Sequence, residues 1–250
     1  LSIRRQRQMC IRDRVRAIVG SGRGIGLSSL RADKMTPELV RLFRQGGYKQ
    51  LTVASDGASE RIRQGLERRI QARHLLRSAE LAAEVGMKAL KVYMMVGVPG
   101  ETEEDIDELI AFTKELSLII PVAIGVSPYV AKRNTPLDGS PFEDIAVIDQ
   151  RLKRLAAGIR PRAEVRPTSA KWAWIEYRMA QGGWSMGHVA LEAWKGGGSF
   201  AAWKRAIHAA GPVDPPWRRG LPPPANVLTM SPKERIQKSV LESPAVLLSP

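Results

Sequence analysis

One feature constrains this chain above all others: from Val15 to about residue 160, short β-branched runs alternate with segments whose apolar residues recur at helical spacing. Parallel strands cannot be joined by tight turns, so a parallel sheet with crossover helices produces this rhythm. Gly26 to Leu30 is expected as a short strand, and Thr36-Pro37-Glu38 opens a helix with Leu39, Val40 and Leu42 on its buried side. Threonine accepts from a free helical N–H, and proline fits the first turn, where no donor is needed. Gln50 to Ala54 reads as a second strand, followed by a helix with Ile62, Leu66 and Ile70 on one face. Arg73 to Val85 is helical and stopped by Gly86, and Ala89 to Val98 is apolar enough for a strand buried on both faces.

After Pro99-Gly100, the acidic run Glu101 to Asp105 opens a helix with Ile106, Leu109, Ile110 and Phe112 inward. Carboxylates there complement the helix dipole. Val122 to Val126 is a further strand, Lys132 to Pro141 a polar loop and Glu143 to Ile159 another amphipathic helix. Residues 15–165 thus hold about four βα units, half of an eight-stranded barrel or two thirds of a six-stranded one. Residues 166–210, with five tryptophans from Trp172 to Trp203, read as a small helical appendage whose indoles are core, and 211–250 as a disordered proline-rich tail. Residues 1–14 lack either periodicity and read as a non-native or disordered leader.

With 44% hydrophobic and 26% charged residues among 250, the chain can bury a core, and no uncharged apolar run suits a membrane. A cytoplasmic protein is expected. The single cysteine, Cys10, excludes a disulfide framework and cannot alone hold zinc or an iron–sulfur cluster. The net charge of +14 leaves an RNA partner open, although arginines spread over solvated helix faces account for much of it.

Four segments carry chemistry. VRAIVGSGRGIGLSS at 15–29 imitates the glycine turn that lets a pyrophosphate approach a helix N-terminus, as in short-chain NAD(P) oxidoreductases. No acidic residue closes a second strand, and Tyr129 and Lys132 are one residue too close to share a helix face. YMMVGVPGETEED at 93–105 ends a strand in a glycine-rich turn, where backbone can approach a ligand closely. ASDGASERIR at 54–63 places a carboxylate, Asp56, at a strand's C-terminal end, with Ser59 three residues on and Arg68 beyond it. VSPYVAKRNTPL at 126–137 is a proline-bearing loop carrying Lys132 and Arg133, which could meet an anionic substrate.

The last three of these segments, with Trp172-Ala173-Trp174, Gly182-Gly183 and Ser199 to Trp203 after them, resemble over about 27–207 the radical S-adenosylmethionine (SAM) superfamily, particularly its cobalamin-binding and methylthiotransferase members. The family's fourth-strand motif reads A-P-E-A-G-S-E-R-L-R, so Ser55 stands for proline and Asp56 for glutamate here. The resemblance implies a fold, α/β with a partial (β/α) TIM-like radical SAM barrel, and a cofactor site. Asp56 and Ser59 would face the ribose, Arg68 the methionyl carboxylate, and the backbone of Val96, Gly97, Val98 and Pro99 the adenine. It further implies a [4Fe–4S] cluster on three cysteines in a C-x3-C-x2-C loop, generation of a 5′-deoxyadenosyl radical, and methyl or methylthio transfer, with cobalamin as a further cofactor. Those cysteines are not among the 250 residues. The chain is therefore expected to be a fragment that does not cleave SAM alone, with its own N-terminal half as a partner and a small molecule or RNA as substrate. The alternatives are a cluster-free binding or assembly module and, more remotely, an NAD(P) oxidoreductase. The resemblance assigns no catalytic residue and no metal ligand to these 250 residues.

Overall fold

The computed structural model describes residues 3–211. They fall into two compact units, residues 3–95, 102–126 and 151–167 in one and 96–101, 127–150 and 168–211 in the other. The first unit is built on the expected α/β sheet, in which β1 (Leu30–Arg31), β2 (Gln50–Asp56), β3 (Ala89–Val96), β4 (Val122–Pro128) and β5 (Ala163–Pro167) lie side by side in chain order. The pairings of β1 with β2, β2 with β3 and β4 with β5 are parallel, with Val53 opposite Val92 and Ile124 opposite Val165. This sequential parallel order is that of a partial (β/α) TIM-like barrel wall.

Helices α1 (Ile3–Gly20), α2 (Pro37–Gln45), α3 (Glu60–Gly65), α4 (Ala72–Glu84), α5 (Glu103–Ile119) and α6 (Ile145–Ile159) intervene between or precede the strands. Their starts follow the sequence signals. Thr36 Oγ1 accepts from Leu39 N at 3.3 Å with Pro37 in the first turn, and Thr102 and Asp105 cap α5 reciprocally. The core of this unit buries Leu51, Val53, Leu90, Val92 and Ile124 from the sheet with Val40, Phe43, Ile62, Leu75, Leu81 and Ile106 from the helices. Each such side chain contributes about 1.5–3 kcal/mol of burial free energy.

Several expectations are corrected. The first strand is confined to Leu30–Arg31, because the glycines before it supply no side chains for a pleated face. The helix expected through Ile70 ends at Gly65, where Glu67 and Arg69 turn left-handed with φ of 54° and 56° before α4 begins. Strand β3 is buried on one face only: Leu90, Val92, Met94 and Val96 point inward while Lys91 and Tyr93 lie on the opposite, open face. The fifth strand, Ala163–Pro167, was not foreseen, since Glu164 and Arg166 interrupt its apolar character. Residues 3–14, read as a leader, belong to α1, and Arg12 and Arg16 both pair with Glu38 of α2.

In the second unit, α7 (Ala170–Gln181), α8 (Met186–Lys195) and α9 (Phe200–Ala209) form the helical appendage. Ile175, Met186, Val189 and Ile207 are its core, with Trp174 and Trp203 packed on it and Trp174 edge-on to Phe200 at 6.0 Å. Contrary to the expectation that the indoles are core, Trp172, Trp184 and Trp194 are 50, 102 and 73% exposed. The tail from 212 onward lies outside the described residues. Among the described residues, no helix is long and apolar enough to cross a membrane.

Candidate functional site

The C-terminal ends of β1 and β2 carry a compact charged cluster in the first unit. A bulge between Ala54 and Asp56 breaks the register of β2 with β3 and brings Asp56 opposite Met94. Asp56 itself is left-handed, with φ of 68°. A non-glycine residue held there stores about 1 kcal/mol of strain and marks a position fixed by its surroundings. Its carboxylate accepts from Arg68 Nε at 2.6 Å, and the pair is partly open to solvent, Asp56 by 22% and Arg68 by 46%. Two residues expected to face a common ligand are therefore bonded to each other.

Arg68 sits on the left-handed loop between α3 and α4, and two other arginines pin that loop. Arg31 Nη2 donates to the Arg68 carbonyl at 3.0 Å while its Nε pairs with Asp33 at the same distance. Burial opposes ionisation of Asp33, but its bonds to Arg31 and Lys34 outweigh this and hold the carboxyl below the ordinary aspartate value. Arg63, 2% exposed, donates from Nε to Ile70 O at 3.1 Å and from Nη1 to Ala58 O at 3.5 Å. Burial draws its pKa down, opposed by Glu108 and Glu60. Sequence reasoning missed the roles of Arg31 and Arg63, since an arginine spaced along a helix or strand looks like any solvated one.

Ser59 is placed by the cap of α3 rather than by an open site. Its fully buried hydroxyl accepts from Ile62 N at 3.2 Å and donates to Asp105 Oδ1 at 2.5 Å. Asp105 also receives the Thr102 N–H at 2.7 Å and the Arg61 guanidinium. Burial raises the Asp105 pKa, and these bonds, from Ser59 first, reverse the direction and leave it below the ordinary value.

In the second unit, the turn Val96-Gly97-Val98-Pro99 is closed by its own contacts. Gly97 N–H donates to Glu101 Oε2 at 2.6 Å, Glu101 N to Val98 O at 2.9 Å, and Tyr129 N to Val96 O at 2.8 Å. Val96, Gly97 and Val98 are buried, and Pro99 is half-buried. Gly97 has φ of 75°, and a Cβ there would lie 3.0 Å from Glu143 Cβ. Gly97→Ala is thus expected to cost about 2 kcal/mol, seen as a lower urea midpoint; an unchanged midpoint would show that the turn is free to relax.

Tyr129 does not lie on a helix with Lys132: it is buried at the end of β4, and Lys132 pairs with Glu176. Burial, then the Asp138 charge, raises the Tyr129 pKa against the Ser140 hydroxyl. The glycines of 22–26 follow helix α1 and lead to no α-helix of their own before β1. The glycine stretch therefore lacks the strand–turn–helix of a dinucleotide-binding site, and Tyr129 and Lys132 lack the shared helix face.

Comparison with known proteins agrees with the fold. The radical SAM superfamily model matches residues 8–113, so this part of the chain is similar to that superfamily's domain. An uncharacterized protein of Methanocaldococcus jannaschii is 37% identical over 146 residues, covering 56% of this chain and 32% of that protein. The chain thus spans about a third of the length of that curated relative.

Among the described residues, no group of three His, Cys, Asp or Glu is arranged to hold a metal ion. A [4Fe–4S] cluster needs several thiolates, and Cys10 is the one cysteine of the sequence, so the residues present do not fit a cluster. The pair Asp56 and Arg68 does fit SAM chemically, offering an anionic acceptor for a diol and a planar donor for a carboxylate.

Proposed function

We propose that this chain supplies SAM-binding residues to a radical SAM enzyme. The observation that supports this most is the exposed Asp56–Arg68 ion pair within the matched domain. In the absence of ligand the two charges satisfy each other. When SAM enters, its ribose hydroxyls donate to Asp56 and its methionyl carboxylate takes the Arg68 guanidinium, so each charge exchanges one partner for another. Arg31 and Arg63 hold the loop that carries Arg68 and so limit the entropy lost on binding. The electron that cleaves SAM in this superfamily comes from a [4Fe–4S] cluster, whose ligands lie outside these residues. Methyl or methylthio transfer is the reaction toward which the 54–63 and 93–105 resemblances point. The same two resemblances support cobalamin as a further cofactor.

Equilibrium dialysis of the chain with labelled SAM, and separately with adenosine, tests the assignment. Arg68→Ala is expected to weaken SAM about 10- to 100-fold, the value of one charge-assisted bidentate contact, and to leave adenosine unchanged. Asp56→Ala is expected to weaken both. Wild-type protein that binds neither ligand, or variants that bind SAM as well as wild type does, would contradict the proposal.

A further inference from the structure

The open face of the sheet in the first unit has an uneven surface. Along β2 it carries Thr52 and Ala54 opposite Lys91 and Tyr93 of β3. Along β4 it carries Ala123 and Gly125, which lie opposite Glu164 and Arg166 of β5. Small residues thus flank two strands bearing large polar ones, and the large side chains lean over the gaps. An added Cβ at Gly125 would meet Tyr93 Cδ1 at 2.6 Å, Cε1 at 2.7 Å and Lys91 Cε at 3.4 Å, so both side chains rest on that glycine. Arg166 stands beside the same glycine on the other side.

The four polar groups interact there. Lys91 Nζ donates to Tyr93 Oη at 2.8 Å and lies 4.5 Å from the ring centroid. Arg166 Nη2 pairs with Glu164 at 2.8 Å. The Arg166 bond lowers the Glu164 pKa, with Lys91 adding to it, and the Glu164 bond raises that of Arg166, with Tyr93 adding to it. Two cations therefore face one carboxylate. Because the lysine already donates to the phenol oxygen, the phenol proton is directed away from it and is available to another acceptor. Tyr93, 40% exposed, is accessible to such an acceptor.

We propose that Lys91, Tyr93 and Arg166, seated over Gly125, form a subsite for an anionic oxygen group, a carboxylate or phosphate, of the substrate. The inference deepens the proposed function and rests on it only in calling the ligand a substrate. Glu164 is the internal competitor that such a group displaces from Arg166.

The test uses the whole chain labelled with 13C in its tyrosine rings, the Tyr93 signal being assigned by Tyr93→Phe. Inorganic phosphate and malonate are titrated separately at constant ionic strength. The Tyr93 signal should shift saturably with at least one of them, with a Kd on the order of 1 mM as befits an open site. Lys91→Gln and Arg166→Gln should each weaken that binding about fivefold or more, and Glu164→Gln should tighten it. Saturation with phosphate alone assigns a phosphate group, and with malonate alone a carboxylate. A linear, unsaturating shift, or equal affinities in Lys91→Gln, Arg166→Gln and wild type, would overturn the subsite. Neither probe engages SAM, so that failure leaves the Asp56–Arg68 assignment standing, and failure of SAM binding leaves this one standing.

Discussion

Arg63→Met is expected to lower the folding free energy by about 2–3 kcal/mol, although methionine fills much the same volume. Two effects compete. Removing a guanidinium that is 2% exposed relieves the cost of burying a charge, which is the cause that draws its pKa down. Against this, the carbonyls of Ile70 and Ala58 lose their donor inside the protein, at about 1–3 kcal/mol for each group left unsatisfied. The contact of the guanidinium with the Phe112 ring, 6.0 Å from its centroid, is lost as well. The unmade bonds win because Ile70, on the loop between α3 and α4, cannot turn its carbonyl outward without unwinding the left-handed residues Glu67 and Arg69. Urea unfolding measures the loss. The same variant should weaken SAM, since Arg68 lies on that loop. An unchanged midpoint would mean that water replaces the guanidinium at no cost.

Asp105→Ala should cost about 3 kcal/mol at neutral pH, by removing the acceptor of the Ser59 hydroxyl, the Thr102 N–H and the Arg61 guanidinium together. The pH dependence has a definite sign. The folded carboxyl lies below its unfolded value, so its contribution is fully present above the unfolded pKa, about 3.9, and is lost as pH falls through the folded one. The difference in stability between wild type and Asp105→Ala should therefore be widest near neutrality and narrow in acid. A gap that stays constant down to the acid limit would show that folding does not lower the Asp105 pKa, and one that widens in acid that the carboxyl is neutral in the folded protein.

The alternation of strand and helix was legible in the sequence because it follows from burial: apolar periodicity, the Thr36-Pro37 start and the acidic turn before Ile106 each report a local requirement. What escaped was set by distant neighbours. Strand β5 is an edge strand with charged residues on its open face, and so carries no apolar signature. The loop that shortens α3 depends on Arg63 reaching Ile70, which no periodicity encodes. Asp56 and Arg68 were singled out by resemblance, and their mutual ion pair arises from the bulge in β2 and the turn after α3. Ser59 was singled out too, yet its hydroxyl serves the α3 cap and Asp105. Spacing alone does not distinguish a serine that caps a helix from one that faces a ligand.

The most direct measurement of the central claim is formation of 5′-deoxyadenosine by the protein expressed from its complete reading frame, reconstituted anaerobically with iron and sulfide and given SAM and a reductant. Product that appears with wild type and falls at least tenfold in Asp56→Ala and in Arg68→Ala is the predicted result. A reconstituted cluster with no product, or product unaffected by both substitutions, would contradict it.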